Sequence, residues 1–76
     1  MQEEKYELAI YHYQILAAIN PGAAPTLYSL GYAYYRLNKP ASAAREFKKF
    51  LEVAPPNSSE ALNVKKWLAT LQPGIK

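Results

Sequence analysis

One spacing, of 34 residues, recurs along this chain and limits what it can fold into. Apolar residues and prolines repeat at this spacing in the pairs Ala9/Ala43, Tyr13/Phe47, Leu16/Phe50, Pro21/Pro55, Leu27/Ala61, Leu30/Val64 and Tyr34/Leu68. Agreement at seven pairs of positions is hard to reach by chance. The spacing therefore predicts a repeated structural unit rather than a single irregular core.

Proline residues divide the chain into helical segments. All six prolines lie between runs of apolar periodicity, and none interrupts a run. Proline removes a backbone donor and clashes with the preceding turn, so a helix accepts it in the first turn and not in its interior. The pattern predicts four helices, over roughly residues 4–18, 25–37, 40–53 and 58–71, and no strands.

Local signals predict where these helices begin and end. Residues suited to a helix start precede the second, third and fourth segments: Pro25, Pro40, and Asn57 paired with Glu60 as a reciprocal N-cap. We expect Asn20-Pro21-Gly22 to stop the first helix, with Gly22 in the left-handed conformation, because glycine accepts that conformation. Pro73-Gly74 is expected to stop the last helix.

Residues 24–57 form a complete unit with a glycine inside its first helix. The apolar face of that helix comprises Leu27, Leu30, Tyr34 and Leu37. Gly31 lies within it at a cost of roughly 1 kcal/mol relative to alanine. We expect a close approach of the next helix to offset this cost, with Ala43 as the matching small residue and Phe47 and Phe50 beside the contact.

Two further sets of apolar residues are expected in the core. The first helix carries a stripe at helical spacing, formed by Tyr6, Ala9, Ile10, Tyr13, Leu16 and Ala17. In the last helix Trp67, with Val64, Leu68 and Leu71, is expected to close the final core layer.

Composition argues against several classes of protein. The chain has no cysteine, so neither a disulfide nor a thiolate-bound metal stabilises it. Nine Lys and Arg residues against six Asp and Glu residues leave a net charge of +3 with the two signs mixed, so nucleic acid is not an expected ligand. No apolar run approaches the roughly 18 residues of a membrane span, and the first residues lack the layout of a signal peptide. The compartment is not indicated.

No arrangement of residues indicates catalysis. His12 is the only histidine and has no paired acid at ligand spacing, so we interpret it as a surface residue. The sequence contains no recognisable nucleophile–base pair, glycine-rich phosphate loop or pair of carboxylates placed for acid–base chemistry. We expect a non-catalytic protein without a metal or other cofactor.

The central stretch resembles a known repeat family. Leu27-x-x-Leu30-Gly31-x-x-Tyr34, Ala43-x-x-x-Phe47 and Pro55 are similar to the signature of the tetratricopeptide repeat (TPR). The resemblance implies an all-α fold in which about four helices form antiparallel hairpins of a right-handed superhelix. Residues 1–76 are then a single domain, with 4–21 matching the second half of a repeat, 24–57 a complete repeat, and 58–72 a terminal helix like a first half.

The resemblance also implies a binding surface for a protein or peptide. In TPR proteins the first helix of each repeat lines a concave groove. The corresponding positions here are Tyr28, Tyr32, Tyr35 and Arg36 in one helix and Leu62 and Lys66 in the last. Two interpretations stay open: the tyrosines hold a partner peptide or helix, or they are ordinary repeat sequence, since tyrosine is frequent at two of these places.

A second apolar stripe lies outside the core pattern of the first helix. It consists of Leu8, Tyr11 and Ile15, whose counterparts 34 residues later are the polar residues Ser42, Arg45 and Lys49. Exposed contiguous apolar surface usually marks a contact. The alternative function is therefore a structural self-assembly element that dimerises through this stripe; a preceding repeat, another partner or an uncovered face also stays open.

Overall fold

Four helices form where the proline spacing predicts them. The computed structural model describes residues 2–71, and the side chains of residues 5–71. The helices are α1 (Gln2–Ile19), α2 (Ala24–Arg36), α3 (Pro40–Val53) and α4 (Ser59–Leu71). Residues 2–71 contain no strand, so the predicted all-α class is confirmed. The predicted ends agree with these bounds to within two residues.

Consecutive helices pack on one another in chain order. The contact between α2 and α3 is the most extensive, and α1 packs on α2 while α4 packs on α3. Because the connections are short, neighbouring helices run antiparallel as hairpins. The core is a single cluster drawn from all four helices: Ile10, Leu27, Leu30, Ala33, Tyr34, Ala43, Phe47, Phe50, Ala54, Ala61 and Val64.

The first helix joins this core through its predicted stripe. Ile10 is buried, and the other members of the stripe are half-buried against the cluster or beside it. A polar contact adds to this packing, since Gln14 Nε2 donates a hydrogen bond of 2.9 Å to the hydroxyl of Tyr34 on α2. The hydrogen bond satisfies the polar end of a tyrosine whose ring belongs to the core.

Gly31 lies close against α3, and the atoms nearest to a Cβ at residue 31 belong to the ring of Phe47. A Cβ atom at this position would overlap Cδ1 and Cε1 of the Phe47 ring and lie 3.1 Å from its Cγ. Ala43, the expected matching small residue, is fully buried in the same core cluster but supplies none of these three nearest atoms. The ring of Phe47, which is fully buried, occupies the space that a side chain at residue 31 would need.

Proline and serine start the later helices. Pro40 is the first residue of α3 and Pro25 the second of α2, where a missing backbone N–H costs little. The predicted N-cap at Asn57 is wrong by one residue. Ser58 caps α4, because its Oγ accepts a hydrogen bond of 3.1 Å from the N–H of Ala61 and donates one of 3.0 Å to the carbonyl of Pro55.

The left-handed residue of the structure is an asparagine rather than the expected glycine. Gly22 does not have a positive φ, so that prediction is wrong; α1 ends at Ile19 in a turn containing Pro21. Asn38 has φ of 60° after α2. The N–H groups of Asn38 and Lys39 donate to the carbonyls of Tyr35 and Tyr34, which is a Schellman motif. Pro73-Gly74 lies outside the described residues.

Enlarging Gly31 should loosen the α2–α3 hairpin. Gly31→Leu is expected to cost at least about 1–3 kcal/mol of unfolding free energy through overpacking. That cost corresponds to a loss of about 4–8 °C in Tm per kcal/mol. Thermal unfolding followed by circular dichroism measures it. Gly22→Ala is the matched control, because nothing lies within 4 Å of a Cβ there. An unchanged Tm for Gly31→Leu would contradict this account of the contact.

Candidate functional site

The three predicted groove tyrosines of α2 gather around one tryptophan of α4. The ring centroid of Trp67 lies 5.8, 5.5 and 5.6 Å from those of Tyr28, Tyr32 and Tyr35. The rings of Tyr35 and Trp67 are stacked, with an interplanar angle of 26°. Because Trp67 also lies 5.4 Å from Phe47, this cluster continues directly into the core. We call the surface formed by Tyr28, Tyr32 and Tyr35 the tyrosine face.

The tyrosine face is therefore partly used by the fold itself. All three tyrosines are half-buried, and Tyr28 also contacts Phe50, with centroids 5.3 Å apart. Among the three, Tyr32 and Tyr35 lie 6.4 Å apart at a tilt of 37°. The face is thus a cluster arranged around Trp67 rather than a free column of tyrosines stacked on one another.

The other predicted groove residues divide between the two sides of this cluster. Leu62 and Lys66 lie one turn apart on α4 and are both exposed, Leu62 by 56%. Arg36 is exposed as well, but its guanidinium lies 6.0 Å from the ring centroid of Tyr6 on α1. The structure therefore places Leu62 and Lys66 on the helix of Trp67, and Arg36 beside α1.

Two open clefts share Tyr28 and Ser29 as lining residues. One, of about 410 Å³, lies between the start of α2, the end of α3 and the start of α4; its other lining residues are Ala24, Pro25, Phe50, Ala54, Pro55, Ser58 and Glu60. The other, of about 220 Å³, lies between α1 and α2 and is also lined by Tyr6, Ala9, Tyr13, Tyr32 and Ala33. The sequence does not predict the larger cleft, because it depends on the path of the α3–α4 connection, which helical periodicity does not specify.

The second apolar stripe of α1 is exposed. Leu8 is 70% exposed, Tyr11 68% and Ile15 48%. Ile19, 76% exposed, continues the stripe one turn further and was not part of the prediction. The spacing of four residues from Ile15 is the signal that could have predicted Ile19 as part of the stripe. The contrast with polar counterparts does not indicate it, because the residue 34 positions later, Val53, is also apolar. We call Leu8, Tyr11, Ile15 and Ile19 the outer face of α1.

Ionisable side chains in the described part of the chain are surface or structural groups. Among residues 5–71, Glu46 is the one buried carboxylate, and its oxygens lie 3.5 Å from Arg45 Nε and 4.0 Å from Lys49 Nζ. The contact with Lys49 has the i, i+3 spacing at which opposite charges stabilise a helix by a few tenths of a kcal/mol. The described residues contain no cluster of three His, Asp or Glu side chains that could hold a metal ion.

Comparison with known families identifies the central hairpin. The tetratricopeptide repeat family model matches residues 24–57, the segment that includes α2, α3 and the turn after α3. The chain contains a tetratricopeptide repeat. Searches of curated proteins and of solved structures found no significant match.

The family gives the broad class of function. TPR domains are protein–protein interaction modules and are generally non-catalytic. Within the TPR hairpin, α2 is the helix that carries both the core leucines and the tyrosine face. Among residues 2–71, none of the helices is both long enough and apolar enough to cross a membrane.

Trp67 should hold α4 against the TPR hairpin. Trp67→Ala removes a half-buried ring that contacts four aromatic side chains, so we expect a loss of about 2–4 kcal/mol, near the range for large-to-small core changes. Leu62→Ala, on the same helix but exposed, should change stability by no more than about 0.5 kcal/mol. Urea denaturation of both variants measures the difference, and equal losses would show that Trp67 does not anchor the helix.

Proposed function

We propose that the chain is a non-catalytic interaction module that binds a peptide or a helix of a partner protein on the tyrosine face. The observation that carries the proposal is the arrangement of the three tyrosines around Trp67, with Leu62 and Lys66 exposed on the adjoining helix. Clustered aromatic side chains with a polar rim are typical of the energetic centre of protein interfaces.

Packing prepares these side chains for binding. A tyrosine ring already held against Trp67 loses little conformational freedom when a ligand covers its other side, so less of the interaction energy is spent on ordering it. The hydroxyl groups supply hydrogen-bonding capacity at the edge of the cluster. Leu62 adds exposed apolar surface, and Lys66, one turn away on the same side of α4, favours an acidic group in the ligand.

A selected peptide library tests the proposal without a known partner. Peptides enriched on the purified chain should lose about tenfold or more in affinity with Leu62→Glu or Lys66→Glu. Lys48→Glu, which makes the same charge change at an exposed position of α3, is the matched control and should bind normally. Tyr28→Ala and Tyr32→Ala should weaken binding further, with Tm recorded because both rings contact Trp67. Selected peptides that bind all of these variants with unchanged Kd would reject the tyrosine face as the site.

A second candidate function is structural self-assembly through the outer face of α1. The observation in its favour is exposure: four large apolar side chains at helical spacing are each between 48% and 76% exposed. Isolated exposed apolar residues are ordinary, but a contiguous row along a helix usually marks a contact. This function does not exclude ligand binding, because the outer face and the tyrosine face share no residue.

Charge introduced into the outer face should abolish self-association. The double variant Leu8→Glu with Ile15→Glu is expected to sediment as a monomer at concentrations where the unmodified chain associates. Its fold should persist, because both side chains are exposed. Leu62→Glu, an equivalent change on another exposed surface, should leave association intact. A strict monomer for the unmodified chain at high concentration, in sedimentation equilibrium, would reject this candidate.

A further inference from the structure

We infer that two copies of the chain pair through the outer faces of α1 in an antiparallel, two-fold symmetric arrangement, and not by adding α1 of one copy to α4 of the next. The inference rests on the second candidate function, self-association through α1, and specifies its geometry. Three observations carry it: the size of the exposed apolar face, the distribution of charge along α1, and the residue that α4 presents where α2 has Gly31.

The outer face is large enough to contribute most of a small interface. It extends over the twelve residues from Leu8 to Ile19, or about 17 Å of helix from the first to the last. From the exposed fractions of its four side chains, each copy offers on the order of 500 Å² of apolar surface. With flanking exposed residues such as His12 and Ala18, this approaches the roughly 800 Å² that each partner buries in a typical specific interface.

The same stretch of α1 carries no formal charge. From Leu8 to Ile19 there is no Asp, Glu, Lys or Arg. On the equivalent helix, α3, charged side chains are frequent: Arg45, Glu46, Lys48, Lys49 and Glu52. Charged residues are depleted from the centres of interfaces and common on solvated helix faces. The exposed side of α1 therefore has the composition of an interface, although it lies where α3 has the composition of a solvated surface.

The helix dipoles favour the antiparallel orientation. Each helix carries partial positive charge at its N-terminus and partial negative charge at its C-terminus. In a parallel pair of α1 helices the ends of like sign lie side by side. In an antiparallel pair each end lies beside the end of opposite sign, which is the more favourable arrangement.

The apolar residues match one another in the antiparallel register. With the two-fold axis near residue 13, Leu8 faces Ile19 of the second copy and Tyr11 faces Ile15. Each pair sets one exposed apolar side chain against another, so the face is complementary to itself. A self-complementary patch of this kind is what a two-fold dimer requires.

Lys65 opposes the alternative, head-to-tail assembly. In that assembly α1 of one copy would pack on α4 of the next copy, in the same way that α3 packs on α2 within one copy. By the 34-residue spacing, Tyr13 would take the place of Phe47, and Lys65 the place of Gly31. The Phe47 ring leaves no room for even a Cβ at residue 31, so the ring of Tyr13 would meet the Lys65 side chain. Assembly through α1 therefore closes as a dimer and does not continue as a filament.

Spin labels at two exposed positions of α1 test the orientation. The chain has no cysteine, so His12→Cys and Lys5→Cys each provide a single labelling site. In the antiparallel dimer, labels at residue 12 lie near the axis and should show strong dipolar broadening, at about 10–15 Å, whereas labels at residue 5 should be separated by roughly 25 Å or more. Both replaced side chains are exposed, so each labelled variant is expected to keep its fold, which circular dichroism checks.

The possible results distinguish the antiparallel geometry of the dimer from self-association through α1 as such. A closed dimer with short distances at residue 12 and long distances at residue 5 supports the inference. Short distances at both ends of α1, or species larger than a dimer that grow with concentration, overturn it while leaving self-association through α1 in place. A strict monomer, or a dimer that survives Leu8→Glu with Ile15→Glu, overturns both and leaves the outer face to a different partner.

Discussion

The contact between Gly31 and the ring of Phe47 determines how the rest of the molecule packs. Glycine costs a helix roughly 1 kcal/mol relative to alanine. Burying a phenylalanine side chain contributes roughly 1.5–3 kcal/mol, so the contact is favourable on balance. Since Phe47 occupies the place of a side chain on α2, the two helices come close together, and Leu27 and Leu30 are buried with it.

The same ring connects the core to the candidate binding surface. Phe47 contacts Gly31 on one side, and its centroid lies 5.4 Å from that of Trp67. Trp67 in turn contacts every residue of the tyrosine face. The core and the proposed binding surface are therefore connected through one chain of aromatic contacts. A ligand on the tyrosine face would act on the side chains that hold α4 in place, and would stabilise the folded chain as it binds.

Periodicity and proline placement are sufficient to predict the helices, the core faces and the close approach at Gly31. They are not sufficient to identify which residue of α3 lies opposite Gly31. Spacing along α3 puts both Ala43 and Phe47 on the correct face, but only the three-dimensional offset between the helices decides which one meets Gly31. The N-cap of α4 is Ser58 rather than the predicted Asn57 for a similar reason. Ser58 forms hydrogen bonds with both Pro55 and Ala61, and the sequence motif at Asn57 does not indicate the contact with Pro55.

The candidate site shows the same limit. Helical spacing at i, i+4 and i+7 places Tyr28, Tyr32 and Tyr35 on one side of α2, and in the structure all three contact Trp67. Their shared contact with Trp67 was not predictable, because it depends on the distance between helices that are not adjacent in the chain. That distance also explains why the tyrosines are half-buried and not freely exposed.

The two equivalent helices, α1 and α3, differ in the polarity of their outward sides. On α3 the inward side carries Phe47 and Phe50, and the outward side carries charged residues. On α1 the inward stripe includes tyrosines with polar ends, while Leu8 and Ile15 point outward. Because both helices follow the same 34-residue pattern, secondary structure alone does not account for the difference. The outward side of α1 carries large apolar residues, whereas α3 carries such residues on the side that faces the core. Contiguous exposed apolar surface usually marks a contact, so we regard the outward side of α1 as a surface that another helix covers.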